Sequence, residues 1–278
     1  MSGTLYLCAT PIGNLSDVTL RVLDTLRSVD LVVAEDTRVT RKLFAHFDIH
    51  TPLESYHEHN ADEKGPQLIT RLLLGEDIAL VTDAGTPAIS DPGEKMVRLC
   101  IEEDIPVTSL PGPCACITAL TLSGMDARRF VFEGFLPRDK KEQKEVLASL
   151  ANETRTAILY EAPHRLKKTL ELLYKTLGDR EIALCRELTK KFETVERTTL
   201  EEAAEQTEGA EVRGEYVLVI AGRPADEKKA EERAAWEMLS IEEHVALYET
   251  DGHDRKEAMR LAAKDRGISR RDVYNALL

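Results

Sequence analysis

The chain has 278 residues, 42% of them hydrophobic and 31% charged, with a formal net charge of −13. That composition belongs to a globular protein long enough for two domains and an appendage, and its acidity argues against a purely electrostatic hold on nucleic acid. No apolar run reaches the roughly 18–20 residues that span a bilayer, and no basic signal region precedes the first strand pattern, so a cytoplasmic protein is expected.

Leu5–Ala9 reads as a buried strand, followed by a predicted helix over Asp17–Arg27 with Ser16 as its cap. Leu31–Ala34 is the second predicted strand and Thr37–Phe47 the second helix. A short strand near Leu53–Tyr56, a helix over Ala61–Leu74 and the strand pattern Ile78–Val81 come next. Asp83–Gly93 then holds two glycines and two prolines in eleven residues, whereas ordinary connections take about two to six. Asp83, Thr86, Ser90 and Asp91 thus stand at the carboxyl end of a strand, where open α/β sheets bind ligands. A helix over Glu94–Glu103, a strand over Pro106–Leu110, the break Pro111-Gly112-Pro113 and a small-residue helix over Cys114–Leu122 complete this part. Strands alternating with helices imply a mostly parallel sheet with covered faces.

The pattern changes around Gly124–Arg129, which gives an N-terminal α/β domain over 1–124 and a second α/β domain over 125–224. The second contains the strand Phe130–Phe135, a polar loop at Pro137–Lys141, a helix over Glu142–Leu150 and the strand Thr156–Tyr160. A helix opened by Pro163, strands over Glu181–Arg186 and Phe192–Arg197, a helix over Leu200–Gln206 and a strand over Glu215–Ile220 follow. A charged linker, Arg223–Glu232, leads into a helical module over 225–278 with helices at Ala234–Tyr248, Arg255–Asp265 and Arg270–Leu277, the last capped by Ser269. Gly267–Tyr274 is similar to the turn and second helix of a helix-turn-helix. Residues 128–191 carry +5 and 253–278 carry +3, against −10 and −11 in the segments 1–127 and 192–252. The two basic segments are compatible with a locally positive face for phosphate contacts.

None of the 15 glycines lies two positions from another, so the dinucleotide fingerprint is absent, and no Gly-x-x-x-x-Gly-Lys P-loop occurs either. His-Glu-x-x-His, Gly-x-Ser-x-Gly and the kinase signatures are absent too. His57 and His59 share a strand face without a third ligand, so His57-Glu58-His59 reads as a polar rim and no metal is expected. Cys8, Cys100, Cys114, Cys116 and Cys185 form no Cys-x-x-Cys pair and are expected to be reduced core thiols.

Seven collinear motifs carry a resemblance: Ala9–Leu15, Ala34–Arg38, Asp83–Gly93, Leu110–Ala115, Phe132–Pro137, Tyr160–Arg165 and Arg186–Lys190. Together they resemble the 16S ribosomal RNA (cytidine-2′-O)-methyltransferases of the RsmI type, in the tetrapyrrole methylase superfamily, over essentially the whole chain. The resemblance implies a homodimer of two-domain α/β subunits with S-adenosylmethionine in the cleft between domains. It further implies 2′-O-methylation of a cytidine ribose in the decoding region of 16S ribosomal RNA, cytidine 1402, in free RNA or the small ribosomal subunit. Pro11, Ala84, Gly85, Thr86, Ile89, Cys114 and Ala115 match cofactor-contact positions of the superfamily, with Glu161 and Leu188 as looser matches. Gly85-Thr86-Pro87 stands where tetrapyrrole methylases carry Gly-Asp-Pro. That departure and the helical tail set the chain apart from the alternative, a small-molecule corrin or porphyrin methylase of the same fold. A non-enzymatic nucleic-acid binder built on the tail is a further alternative.

Methyl transfer from a sulfonium is an in-line displacement, for which holding donor and nucleophile in place is the main requirement. A ribose hydroxyl must also lose its proton, and Asp83, Asp91, Glu161, His164, Glu187 and Lys191 are candidates to take it, with Glu161 and Lys191 singled out. Each also has a structural reading, as ion pair, cap or first helical turn. Arg38, Arg41, Lys42, Arg138, Lys140, Lys141, Arg165 and Lys190 are the candidate RNA contacts, beside Lys191. The tail cations Arg255, Lys256, Arg260, Lys264, Arg266, Arg270 and Arg271 fit either an RNA-contacting module or a dimer-stabilising bundle.

Overall fold

The apolar runs Leu31–Ala34 and Ile78–Val81 are buried along their whole length, as central strands covered on both faces must be. The computed structural model describes residues 2–91, 93–209, 211–224 and 236–278. It places these runs, β2 and β4, beside β1 (Leu5–Cys8), β3 (Leu53–Ser55) and β5 (Val107–Leu110) in an all-parallel sheet of order β3-β2-β4-β1-β5. Successive strand residues alternate between two cores. Val32, Ala34, Ala79 and Val81 meet α1 (Leu20–Ser28) and α2 (Thr37–Phe47) through Leu26, Leu43 and Phe44. Leu31, Val33, Ile78 and Leu80 meet α3 (Ala61–Leu73) and α4 (Glu94–Glu102) through Leu68, Leu72 and Met96. β1 and β4 are neighbours, yet the chain leaves them in opposite directions across the sheet. Their carboxyl ends therefore open the crevice that forms where strand order reverses.

The second sheet is mixed, of order β6-β7-β10-β8-β9. β6 (Phe130–Phe135) runs parallel to β7 (Thr156–Glu161), while β10 (Tyr216–Ile220), β8 (Glu181–Arg186) and β9 (Thr194–Thr199) pair antiparallel. α6 (Lys140–Asn152), α7 (Pro163–Leu177) and α8 (Leu200–Gln206) cover one face through Leu147, Leu166, Leu170 and Leu200. The other face receives α5 (Ala115–Ser123), a helix without a charged residue that follows β5. Cys116, Ala119 and Leu120 of α5 pack on Ile158, Ala183, Cys185, Val217 and Val219. One helix thus links the loop after β5 to the second sheet by burial.

Residues Met1–Gly222 form one compact unit and Arg223–Leu278 another. In the latter, α9 (Ile241–Thr250), α10 (Arg255–Arg266) and α11 (Arg270–Ala276) enclose Val245, Ala258, Ala262, Ala263 and Val273. Ser240 and Ser269 each form a capping box. The predicted helix start at Ala234 and the linker over 225–232 lie outside the described residues.

The first helix differs from expectation. Asn14 accepts the Ser16 N–H at 3.1 Å and holds Leu15–Asp17 in a 3₁₀ turn, and Thr19 accepts the Val22 N–H at 3.2 Å to start α1 at Leu20. Ser16 therefore gives its backbone to a turn instead of capping a helix. The strand predicted at Phe192–Arg197 begins at Thr194, because Glu193 turns back to accept the Thr189 N–H at 2.6 Å. Thr19→Ala is expected to lower unfolding free energy by about 1 kcal/mol and Ser16→Ala by a few tenths at most, read from urea midpoints at constant m-value.

Candidate active site

Two backbone hydrogen bonds tie the loops that leave β1 and β4. The Thr10 N–H donates to the Gly85 carbonyl at 2.9 Å and the Gly85 N–H to the Thr10 carbonyl at 3.0 Å. The Thr10 hydroxyl adds a bond to the Thr82 carbonyl at 3.0 Å. Gly85 sits at φ +87°, where side chains are disfavoured. Ala88 and Ser90 hold positive φ without being glycine, at 67° and 61°, a local strain of the kind that functional loops retain. From Thr86 a hydroxyl bond of 3.0 Å reaches the Pro113 carbonyl, so the loop before α5 is fastened as well.

These three loops face the second sheet across a cleft of about 480 Å³, within the size range of small-ligand sites. Ala84, Gly85, Thr86, Ile89, Cys114, Ala115, Glu161 and Leu188 all line it. Pro11 does not; it lines an adjoining groove of about 300 Å³ with Thr10, Val39, Lys42 and Asp83. Among the cations proposed for RNA, only Lys190 lines the cleft, and its ammonium is bound at 3.0 Å to both Glu187 and Glu215. Arg165 turns inward, donating to the Leu136 carbonyl at 2.8 Å, with its Nε 3.4 Å from Glu161. Arg38 closes on Asp36, Arg41 lines a separate hollow beside Phe44 and His50, and Arg138, Lys140 and Lys141 are exposed before and at the start of α6. Of these cations only Lys190 thus stands in the cleft lining, while Arg38 lies within electrostatic reach of Asp83, which is part of it.

The candidate proton acceptors separate by environment. Glu161 is 2% exposed; one oxygen accepts the Ala162 N–H at 2.8 Å and the other the Thr169 hydroxyl at 2.5 Å, so the carboxylate holds the start of α7. Hydrogen bonds from the Glu215 N–H and the Lys190 ammonium keep the Glu187 carboxyl below its ordinary range. His164 and Lys191 are exposed and do not line the cleft, the Lys191 ammonium lying 5.6 Å from the Phe192 ring centroid. Asp83 and Asp91 do line it, together with Glu35, which sequence reasoning missed although it directly follows β2. Burial, then repulsion from Glu35 and Asp83, pushes the Asp91 carboxyl up to about 7. Glu35 and Asp83 are raised as well, chiefly by burial. Phe135, Tyr160 and Tyr216 are further lining residues that the sequence reading passed over.

Cys114 caps α5 and lines the cleft with its Sγ 3.4 Å from that of Cys116. The Cys116 thiol, followed by the Ile117 N–H and Thr86, lowers the Cys114 thiol below its usual value, and Cys116 is correspondingly raised. The His57 and His59 rings meet edge to face at 6.0 Å, and among the described residues no group of three His, Cys, Asp or Glu is gathered to hold a metal. No described helix is long and apolar enough to cross a membrane.

The model of the tetrapyrrole (corrin/porphyrin) methylases matches residues 4–204. The chain belongs to this methyltransferase family. Within the family it groups with proteins named ribosomal RNA small subunit methyltransferase I. It is 50% identical to the one from Halalkalibacterium halodurans, over 98% of this chain and 94% of that protein. It is 49% identical to the one from Bacillus subtilis, over 99% and 94%. Among solved structures, a cobalt precorrin-4 methyltransferase aligns with TM-score 0.60 at 18% identity, covering 78% of this methylase chain and 94% of its own. Uroporphyrin-III C-methyltransferase from Thermus thermophilus, complexed with S-adenosyl homocysteine, aligns with TM-score 0.57 at 19% identity over 79% and 97%. These last two show the shared fold.

Two measurements test the electrostatics. Iodoacetamide at pH 7 is expected to modify Cys114 before the other four thiols, read by peptide mass mapping. Because the folded state raises the Asp91 carboxyl, ionising it costs stability as pH climbs from the unfolded value near 3.8 through about 7. Asp91→Asn should therefore raise Tm at pH 8 and leave it nearly unchanged at pH 4.

Proposed function

We propose that this methylase transfers a methyl group from S-adenosylmethionine to the ribose 2′-hydroxyl of a cytidine in the decoding region of 16S ribosomal RNA. What carries this reading is the extent of the likeness. The ribosomal RNA methyltransferase I proteins of Halalkalibacterium halodurans and Bacillus subtilis match 98–99% of the chain, helical unit included, whereas the two corrin and porphyrin methylases above align with 78–79% of it. The neutral Thr86 in the loop at Asp83–Gly93 fits the same branch. The proposal takes 1–124 and 125–224 as the two walls of the site and 225–278 as an added module, in a cytoplasmic homodimer.

The cleft suits such a donor: it has the volume, and Gly85 presents bare backbone where a Cβ would approach Ile12 Cγ2 at 3.5 Å. The segment 84–86, Ile89, Cys114, Ala115 and Leu188 would hold the donor, which supplies an electrophilic methyl on a sulfonium sulfur. Ile12, Ile89 and Leu188 make that wall apolar and limit water. The braced loops around Thr10, Gly85 and Pro113 fix the line of approach, which is the chief requirement of an in-line displacement. Among the acids that line the cleft, Asp91 is the one we assign to accept the hydroxyl proton, since its carboxyl is pushed up to about 7 and a base with pKa near the working pH transfers protons most effectively. Glu161, with both oxygens engaged, serves to position α7 and the cleft wall.

Ribose-methylation mapping of 16S ribosomal RNA from cells with and without the gene should show one cytidine losing its methyl group. An unchanged map would overturn the proposal, and turnover of a corrin or porphyrin would favour the alternative substrate. On small subunits from the deletion strain, kcat/KM should rise with pH through about 7. Asp91→Asn should abolish that limb and cut the rate about 100-fold or more.

A further inference from the structure

Phe135 is half exposed, although it closes β6 in the wall of the cleft. Its position follows from an irregularity in the ladder. Phe132 pairs with Ile158, but the next partner, Leu159, is matched by Gly134, so one extra residue, Glu133, is bulged out. In a regular strand, residues 132 and 134 would share a face and 135 would point away. The bulge reverses this and sets Phe135 opposite Tyr160, on the face that carries Phe132 and Ile158. The conformation favours glycine: Gly134 has φ +63°, and a Cβ there would stand 2.7 Å from Ser90 Oγ of the loop at Asp83–Gly93.

A neighbouring ring packs against Phe135. Tyr160 contacts Phe132 and Phe135 edge-on, with centroids 5.0 and 5.6 Å away, and its hydroxyl accepts the Cys116 N–H at 3.2 Å. With half its surface exposed, Phe135 offers an aromatic face, backed by Tyr160, in a lining that also carries carboxylates and aliphatics, and this has the form of a stacking platform. The chain leaves Phe135 directly into Arg138, Lys140 and Lys141, all exposed, which suit the phosphates flanking a bound nucleotide.

We propose that Phe135 stacks the target nucleobase, unstacked from its RNA neighbours, so that the ribose of the same nucleotide is presented to the cleft. The inference rests on the ribosomal RNA reading above. Most of the donor positions, 84–86, Ile89, Cys114 and Ala115, belong to the loops of the first sheet, whereas Phe135 belongs to the second and keeps half its surface open to an incoming base. Stacking on an aromatic side chain tolerates any base, so the ring provides hold and orientation and leaves discrimination to other groups.

The test compares Phe135→Leu, which keeps apolar bulk without a ring face, with Phe135→Trp. The substrate is small ribosomal subunits from cells lacking the gene. Leucine is expected to raise KM for subunits about 10-fold or more and tryptophan to stay within about 3-fold of the parent. The affinity for S-adenosylmethionine by calorimetry and the mass by light scattering should be unchanged in both. An unaltered KM in Phe135→Leu overturns the proposal. Equal weakening of donor affinity would instead assign the ring to the donor, and a change in mass would assign it to contact with a second copy of the chain. If the parent protein methylates no subunits while still binding the donor, the functional reading fails and this inference falls with it; if it methylates them and leucine is silent, only the inference falls.

Discussion

The site depends on the reciprocal backbone hydrogen bonds between Thr10 and Gly85. They join two loops that the strand order sends apart, at the one place where the crevice of a parallel sheet opens. Pro11, Pro87, Pro111 and Pro113 lack an N–H, so these loops have few donors with which to brace themselves. The Thr10–Gly85 pair and the Thr86 bond to Pro113 supply the bracing, and the strained backbones of Ala88 and Ser90 sit within the segment they anchor. A ligand at this place meets a preformed surface.

The second constraint is hydrophobic. α5 emerges from the first sheet's loops but finds its apolar partners on the second sheet. Burial of Cys116, Ala119 and Leu120 thus fixes the distance between the walls, and the cap of the same helix, Cys114, lines the cleft. The interior between the walls is acidic, with Glu35, Asp83, Asp91, Glu187 and Glu215, and its lysine is already paired. Such an interior repels a phosphate backbone, so the charge of an RNA is better met outside, by exposed cations like those at 138–141.

Much of this was legible in the chain. Strands β2 and β4 and helices α2 and α8 fall where their patterns place them, because continuous aliphatic runs and helical apolar spacing report burial directly. The loop at Asp83–Gly93 was recognisable from turn chemistry alone. Harder to read were features decided by competition between equivalent local signals. Ser16 and Thr19 are both able to cap a helix, and the 3₁₀ turn fastened by Asn14 selects Thr19. Gly134 within a strand is a general sign of a bulge, but nothing local says which aromatic the bulge redirects.

Taken by itself, the sequence determined the element types and the long turn-rich loop at Asp83–Gly93, since these follow from backbone chemistry and burial patterns within a few neighbouring residues, and its collinear motifs carried the resemblance to the family. Only the tertiary structure decided the order of the sheets, the partnering of cations and the character of each carboxylate. Arg165 and Lys190 look like free phosphate contacts in the chain, yet folding gives them Glu161, Glu187 and Glu215. Asp91 reads as an ordinary loop acid until Glu35 from the end of β2 and Asp83 from the end of β4 are brought beside it. A carboxyl's proton affinity depends on the charges and water around it in space, and the sheet order, more than the spacing along the chain, chose those neighbours.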